Sequence, residues 1–109
     1  MTKVIIRKTT DGEFREFSCT GHAGFAYSGS DIVCAAISIL VINTINSMEK
    51  LAGEELETAA DEKAGSIACR FRRRPSEGGR LLMDSMILGL FHIEKQYGSK
   101  YLAVIFEEV

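Results

Sequence analysis

Cys34 and His22 stand twelve positions apart, a thiol and an imidazole separated by a glycine-broken segment. Such a pair can hydrolyse an acyl bond: the thiolate attacks the carbonyl, and the imidazole takes a proton and later returns it to the leaving group. Cys34 follows Ser30-Asp31-Ile32-Val33 at the expected first turn of a long apolar helix. Unpaired backbone N–H groups and the positive end of the helix dipole favour thiolate over thiol there. The same N–H groups are natural donors to an oxyanion. Gly21-His22-Ala23-Gly24-Phe25-Ala26-Tyr27-Ser28-Gly29 holds three glycines in nine residues, enough freedom to fold His22 back over the helix start. Taken alone, Cys34 also reads as a small core residue of an apolar helix.

Other residues offer supporting chemistry, each with a plainer alternative. Asp31 either orients His22 or caps the helix, and its carboxylate would itself oppose thiolate formation. Ser38 lies one helical turn beyond Cys34, so its hydroxyl either reaches the site or bonds a carbonyl of its own helix. Phe25 and Tyr27 either anchor the loop or line a groove for apolar side chains of a peptide. His92 reads as a packed or half-exposed helix residue, and Cys19 and Cys69 as core positions on strand faces. Cys19-x-x-His22 is too sparse for a structural zinc site, which needs four ligands, so neither a metal nor a cofactor is expected. The run Arg70-Phe71-Arg72-Arg73-Arg74 is either a solvated strand end or a docking patch for an acidic or RNA-bearing partner.

The elements that must position these residues follow from periodicity. Lys3 to Thr9 and Phe14 to Thr20 alternate across a Thr10-Asp11-Gly12-Glu13 turn, a β-hairpin. Ile32 to about Ala52 reads as a helix capped by Ser30 or Asp31 and stopped by Gly53; its first half is apolar all round, which predicts a central buried element. Glu55 to Asp61 and Ser66 to Arg72 predict a second, more exposed hairpin, with Ile67, Cys69 and Phe71 on one face. Leu82, Met86, Leu90 and Ile93 mark a helix from about Gly79 to Tyr97, and Tyr101 to Glu108 a last strand. The order ββαββαβ predicts an α+β sandwich, a largely antiparallel five-stranded sheet packed against two helices.

A chain of 109 residues with 46% hydrophobic content fits a single domain over residues 1–109 that needs no disulfide or metal to fold. A net charge of −2 gives no general attraction to nucleic acid or anionic membranes. Three widely spaced cysteines suit a reducing compartment. Lys3 and Arg7 interrupt the N-terminus too early for a signal peptide, and the run from Ile32 to Ile42, apolar apart from Ser38, is about half of the ~20 residues that span a bilayer. A soluble, cytoplasmic protein with no membrane contact is expected.

Gly21-His22-Ala23-Gly24 through Gly29-Ser30-Asp31-Ile32-Val33-Cys34-Ala35-Ala36-Ile37-Ser38 resembles the ribosomal-processing cysteine protease family of bacteria. The length and element order resemble that family over the whole chain, although only the first forty residues carry a diagnostic motif. The resemblance implies a cytoplasmic endopeptidase that removes a short N-terminal extension, after paired aromatic residues, from large-subunit ribosomal protein twenty-seven during ribosome assembly. It places the nucleophile on Cys34, proton transfer on His22, and supporting roles on Asp31 and Ser38. It further implies a homodimer whose glycine-rich loop, with Gly21, Gly24, Phe25, Tyr27 and Gly29, covers the substrate groove. RNA contact is allowed by this reading but not required.

Two rivals make different demands. A non-catalytic ribosome- or RNA-associated module would bind RNA in a salt-sensitive way without Cys34. A thiol redox sensor would oxidise Cys34 reversibly and be indifferent to loss of His22 beyond a pKa change.

Overall fold

Two hairpins, each followed by a helix, and a closing strand make up the chain: β1 (Thr2–Lys8), β2 (Phe14–Thr20), α1 (Ile32–Leu51), β3 (Leu56–Asp61), β4 (Ser66–Phe71), α2 (Glu77–Tyr97) and β5 (Leu102–Glu108). The computed structural model describes residues 1–27 and 30–109. The five strands form one sheet in the order β3-β4-β2-β1-β5. β1 pairs antiparallel with β2, aligning Val4 with Cys19 and Ile6 with Phe17, and β4 pairs antiparallel with both β2 and β3. β5 alone runs parallel to its neighbour, β1. The largely antiparallel α+β architecture therefore matches the expectation from element order.

Strand alternation divides the sheet into two faces. Val4, Ile6, Phe17, Cys19, Cys69, Phe71 and Leu102 are buried with Val33, Ile37 and Val41 of α1 and Met83, Met86 and Leu90 of α2 in one core. β3 is an exposed edge strand, as its polar pattern suggests, whereas β4 lies inside the sheet and buries Cys69 and Phe71. Pairing on both sides overrides the expectation that the second hairpin is exposed as a unit.

Helix α1 departs from its apolar composition. It is not buried all round: Val33, Ile37, Val41, Thr44, Ile45 and Met48 form its buried stripe, while Ile39 is 70% exposed and Ile32 and Ile42 are also open. In a two-layer fold, one helix face meets the sheet and neighbouring helix and the opposite face meets neither. The helix also continues past Ile42 to Leu51, so its 20 residues reach bilayer-spanning length, and its most apolar 18-residue window has a mean hydropathy of 1.7. The apolar stretch from Ile32 to Ile42, interrupted by Ser38, is only the first half of the helix, and the buried stripe packs into the protein's own core.

Helix α2 begins at Glu77, two residues before the sequence estimate. Ser76 accepts the Gly79 N–H at its hydroxyl, and Glu54 accepts from both the backbone N–H and the hydroxyl of Ser76. This cap from a distant residue offsets the poor helix propensity of Gly78 and Gly79.

Candidate active site

Asp31 builds the N-terminus of α1. It has extended backbone angles, and its Oδ1 accepts the Cys34 N–H at 2.9 Å. Its Oδ2 accepts the Phe25 N–H at 2.9 Å and the Ala26 N–H at 3.4 Å. One carboxylate thus caps the helix that carries Cys34 and tethers the loop that carries His22. Partial burial raises the Asp31 pKa, but the N–H donors of Cys34, Phe25, Ala26 and Val33 together outweigh it and hold the carboxyl below its usual 3.8. Asp31 does not orient His22 directly, since it makes no hydrogen bond to the imidazole among those of the described residues.

The cap alters the expected oxyanion chemistry. The Cys34 N–H is taken by the Asp31 side chain, and the Ala35 N–H bonds the Asp31 carbonyl at 3.0 Å. Neither donor is free while the cap stands. The sequence expectation that N–H groups around Cys34 are unpaired therefore fails for these two, because a well-placed aspartate satisfies one of them.

Cys34 is half-buried and lines two adjoining cavities together with His22. The first, of about 310 Å³, has Cys19, Ile37, Ile42 and Ile67 as apolar wall and the Asp61 to Gly65 turn at its rim. The second, of about 350 Å³, runs under the loop past Gly24, Ala26 and Asp31. Ser38 lines both, so the residue one turn beyond the thiol does face the site.

His22 is seated by elements distant in sequence. The Gly21 N–H donates to the Gly65 carbonyl at 3.1 Å, and the Thr2 hydroxyl donates to the Gly21 carbonyl at 3.5 Å. Gly21 has φ +89°, and a Cβ there would stand 2.7 Å from the Met1 carbonyl oxygen. Only glycine fits this close approach. No hydrogen bond joins His22 to Cys34 in this arrangement among those of the described residues. The imidazole is exposed at the mouth of the groove.

The remaining loop residues divide. Phe25 packs edge-on against Tyr97 at 5.7 Å and Tyr101 at 5.2 Å between ring centroids, an anchor onto the end of α2 and the approach to β5. Tyr27 is 91% exposed, and Gly24 adopts φ +78° in open space. Neither Phe25 nor Tyr27 lines the two cavities in this arrangement. Gly29, assigned to the same loop from sequence, lies outside the described residues.

The other candidates resolve plainly. Cys19 and Cys69 are buried; burial first, with the charge of Cys34 adding to it, pushes the Cys19 thiol to about 11, and burial with Glu49 pushes Cys69 to about 12. His92 is exposed on α2. The arginines are paired: Arg70 and Arg72 with Glu57, Arg73 with Glu55, and Arg74 with Glu13. Thr2, Gly65 and Ile67 line the site although sequence reasoning did not select them. A turn glycine was visible at position 65, but its contact with His22 depends on β4 lying beside β2.

The family described as cysteine protease Prp matches residues 1–102 of this chain. The chain belongs to this family. The protease is 33% identical over 101 residues to the ribosomal processing cysteine protease Prp of Bacillus subtilis, covering 89% of this chain and 90% of that one. It is 27% identical over 97 residues to the protein of the same name from Staphylococcus aureus, covering 89% and 92% of the two chains. Among solved structures, the S. aureus protease with a covalently linked product peptide superposes with a TM-score of 0.92 at 24% identity, over 98% of this protease and 100% of that chain. SMU.848 of Streptococcus mutans does so with a TM-score of 0.85 at 25% identity, over 100% and 99%.

Proposed function

We propose that this protease removes a short N-terminal extension from large-subunit ribosomal protein twenty-seven, cutting after paired aromatic residues, during ribosome assembly in the cytoplasm. The observation that carries the reading is the sharing of one groove by Cys34 and His22 at the start of α1. The apolar wall of Cys19, Ile37, Ile42 and Ile67 suits a peptide with bulky apolar side chains, and the ribosomal processing role named for the relatives supplies the substrate class.

In this reading the Cys34 thiolate attacks the scissile carbonyl, and His22, having taken the thiol proton, returns it to the leaving amine as the C–N bond breaks. A thioester remains on Cys34. Water, deprotonated by His22, then attacks the thioester and frees the new carboxylate and the thiol. Asp31 keeps the thiol at the helix start and the histidine loop tethered, while Ser38 faces the reacting groups from the next turn. Gly24, at φ +78° in open space, gives the loop the freedom to cover a bound peptide.

The working form is a homodimer. Ile39, Leu81 and Leu88, the last 73% exposed, present apolar surface that a second copy would cover. Light scattering of the purified protein tests this, and a monomer at micromolar concentration would refute it.

Mass spectrometry of a synthetic peptide ending in two aromatic residues before a short polar stretch tests the activity. A single cut after the aromatic pair by the wild type, absent from folded Cys34→Ala and His22→Ala, is the expected result. No cut by reduced, folded wild type would turn attention to RNA or ribosomal-subunit binding.

A further inference from the structure

The turn between β3 and β4 holds His22 in a way the dyad alone does not explain. Gly65 closes that turn with φ +62°, and a Cβ built on it would stand 2.9 Å from His22 Cε1, 3.0 Å from Nε2 and 3.3 Å from the Gly21 carbonyl oxygen. The imidazole therefore lies directly on the bare α-carbon. The turn is fixed without the histidine: Asp61 Oδ1 accepts the Lys63 and Ala64 N–H groups at 3.0 and 3.2 Å, and the Gly65 N–H reaches the Glu62 carbonyl at 3.3 Å. The Gly65 carbonyl in turn accepts the Gly21 N–H, so the backbone next to the histidine is tied to the same turn.

We propose that Gly65 is a positioning residue for catalysis: its missing side chain is the seat of the His22 imidazole, and this seat sets how the histidine meets Cys34. The inference rests on the protease reading above. Gly65, His22 and Cys34 line one cavity, so a change at the seat is felt at the thiol's side of the groove. Of the atoms a Cβ would meet, the Gly21 carbonyl belongs to hydrogen-bonded backbone, whereas the imidazole is the free end of an exposed side chain. The histidine yields, and the turn stays. A methyl group at Gly65 thus displaces the proton-transfer group without dismantling the fold.

The test compares Gly65→Ala and Gly65→Asn with Gly12→Ala. Asparagine tolerates the left-handed backbone better than alanine but carries the same Cβ. Gly12 has φ +84° with nothing within 4 Å of a built Cβ, so its replacement reports backbone strain alone. Two readouts are taken on folded protein: kcat and KM on the aromatic-ending peptide, and the pH profile of Cys34 alkylation by iodoacetamide, with His22→Ala as reference.

Both Gly65 variants should lose about 100-fold in kcat, as expected for a catalytic group misplaced by ~1 Å, with KM changed by less than about threefold. Their alkylation profiles should follow that of His22→Ala, and Gly12→Ala should match wild type in both. Recovery of kcat in Gly65→Asn would assign the effect to backbone strain and overturn the proposal, as would a wild-type alkylation profile in Gly65→Ala. If wild type itself does not cut the peptide, the protease reading fails, yet the alkylation profiles still decide whether Gly65 seats the histidine. If Gly65→Ala does not fold, Gly65→Asn carries both measurements.

Discussion

Asp31 Oδ1 accepts the backbone N–H of Cys34 at 2.9 Å while its Oδ2 accepts the Phe25 and Ala26 N–H groups, so one carboxylate joins the start of α1 to the loop that carries His22. Asp31→Ala should lose both functions, lowering stability by about 1 kcal/mol, the usual value of an N-cap, and reducing turnover. Asp31→Asn keeps a good capping oxygen but has only one acceptor to share between helix and loop. Its thermal midpoint should stay near wild type while kcat falls, and equal loss of both in the two variants would separate Asp31 from the loop. Calorimetry with peptide kinetics measures the two effects.

The same carboxylate gives a pH dependence of known sign. Its folded pKa lies below the unfolded value near 3.8, so the protonated form is the less stable folded species. The stabilisation is fully present above that pH and disappears as pH falls through the lower folded pKa. The gap in thermal midpoint between wild type and Asp31→Ala should therefore narrow as pH drops from 6 toward 3. A gap that widens would contradict the cap's charge.

Native thiol chemistry should be confined to Cys34. At pH 8 the Cys19 and Cys69 thiolates are populated at roughly one part in 10³ and 10⁴, given pKa values of about 11 and about 12, and both side chains are buried. Brief iodoacetamide treatment should add a single carbamidomethyl group to native protein and three to unfolded protein. Two adducts on the native protein would show a second accessible thiol.

Gly21 and Gly24 both have positive φ but should respond differently to alanine. At Gly21 the new methyl meets the Met1 carbonyl, which belongs to backbone leading into β1, so a loss of about 2–3 kcal/mol is expected from strain plus overpacking. Gly24 is open, and its replacement should cost at most about 1 kcal/mol of global stability while slowing turnover through the loop. Chemical denaturation beside peptide kinetics distinguishes a fold defect from a loop defect.

The arginine run should prove dispensable for catalysis. Arg73 is 77% exposed and pairs with Glu55 at 3.1 Å, so Arg73→Ala should change stability by less than about 0.5 kcal/mol and leave turnover alone. Arg74→Ala should cost more, because the Arg74 hydrogen bond is the leading cause that lowers the Glu13 pKa, and Glu13 Oε2 is already buried with no partner among the described residues. Strong, salt-sensitive RNA binding lost on replacing Arg73 would revive the RNA-associated reading.

Local sequence carries the ββαββαβ order, since strand and helix periods are written in alternation, and it marks Cys34 and His22 as candidates, since a helix start and a glycine-broken loop are local features. It also marked Asp31 at the cap. Contacts between distant segments account for the rest. The sheet order put β4 beside β2 and thereby brought Gly65 against His22, a contact between distant segments that no local pattern contains. The two-layer packing left Ile39 in solvent although it lies in a largely apolar stretch of sequence, because one face of α1 meets neither sheet nor helix. Phe25 found Tyr97 and Tyr101, from the opposite end of the chain, only because the parallel pairing of β5 with β1 brought the last strand to the sheet edge beside it. Composition and spacing name the chemical groups, whereas which of them touch depends on strand pairings between distant segments.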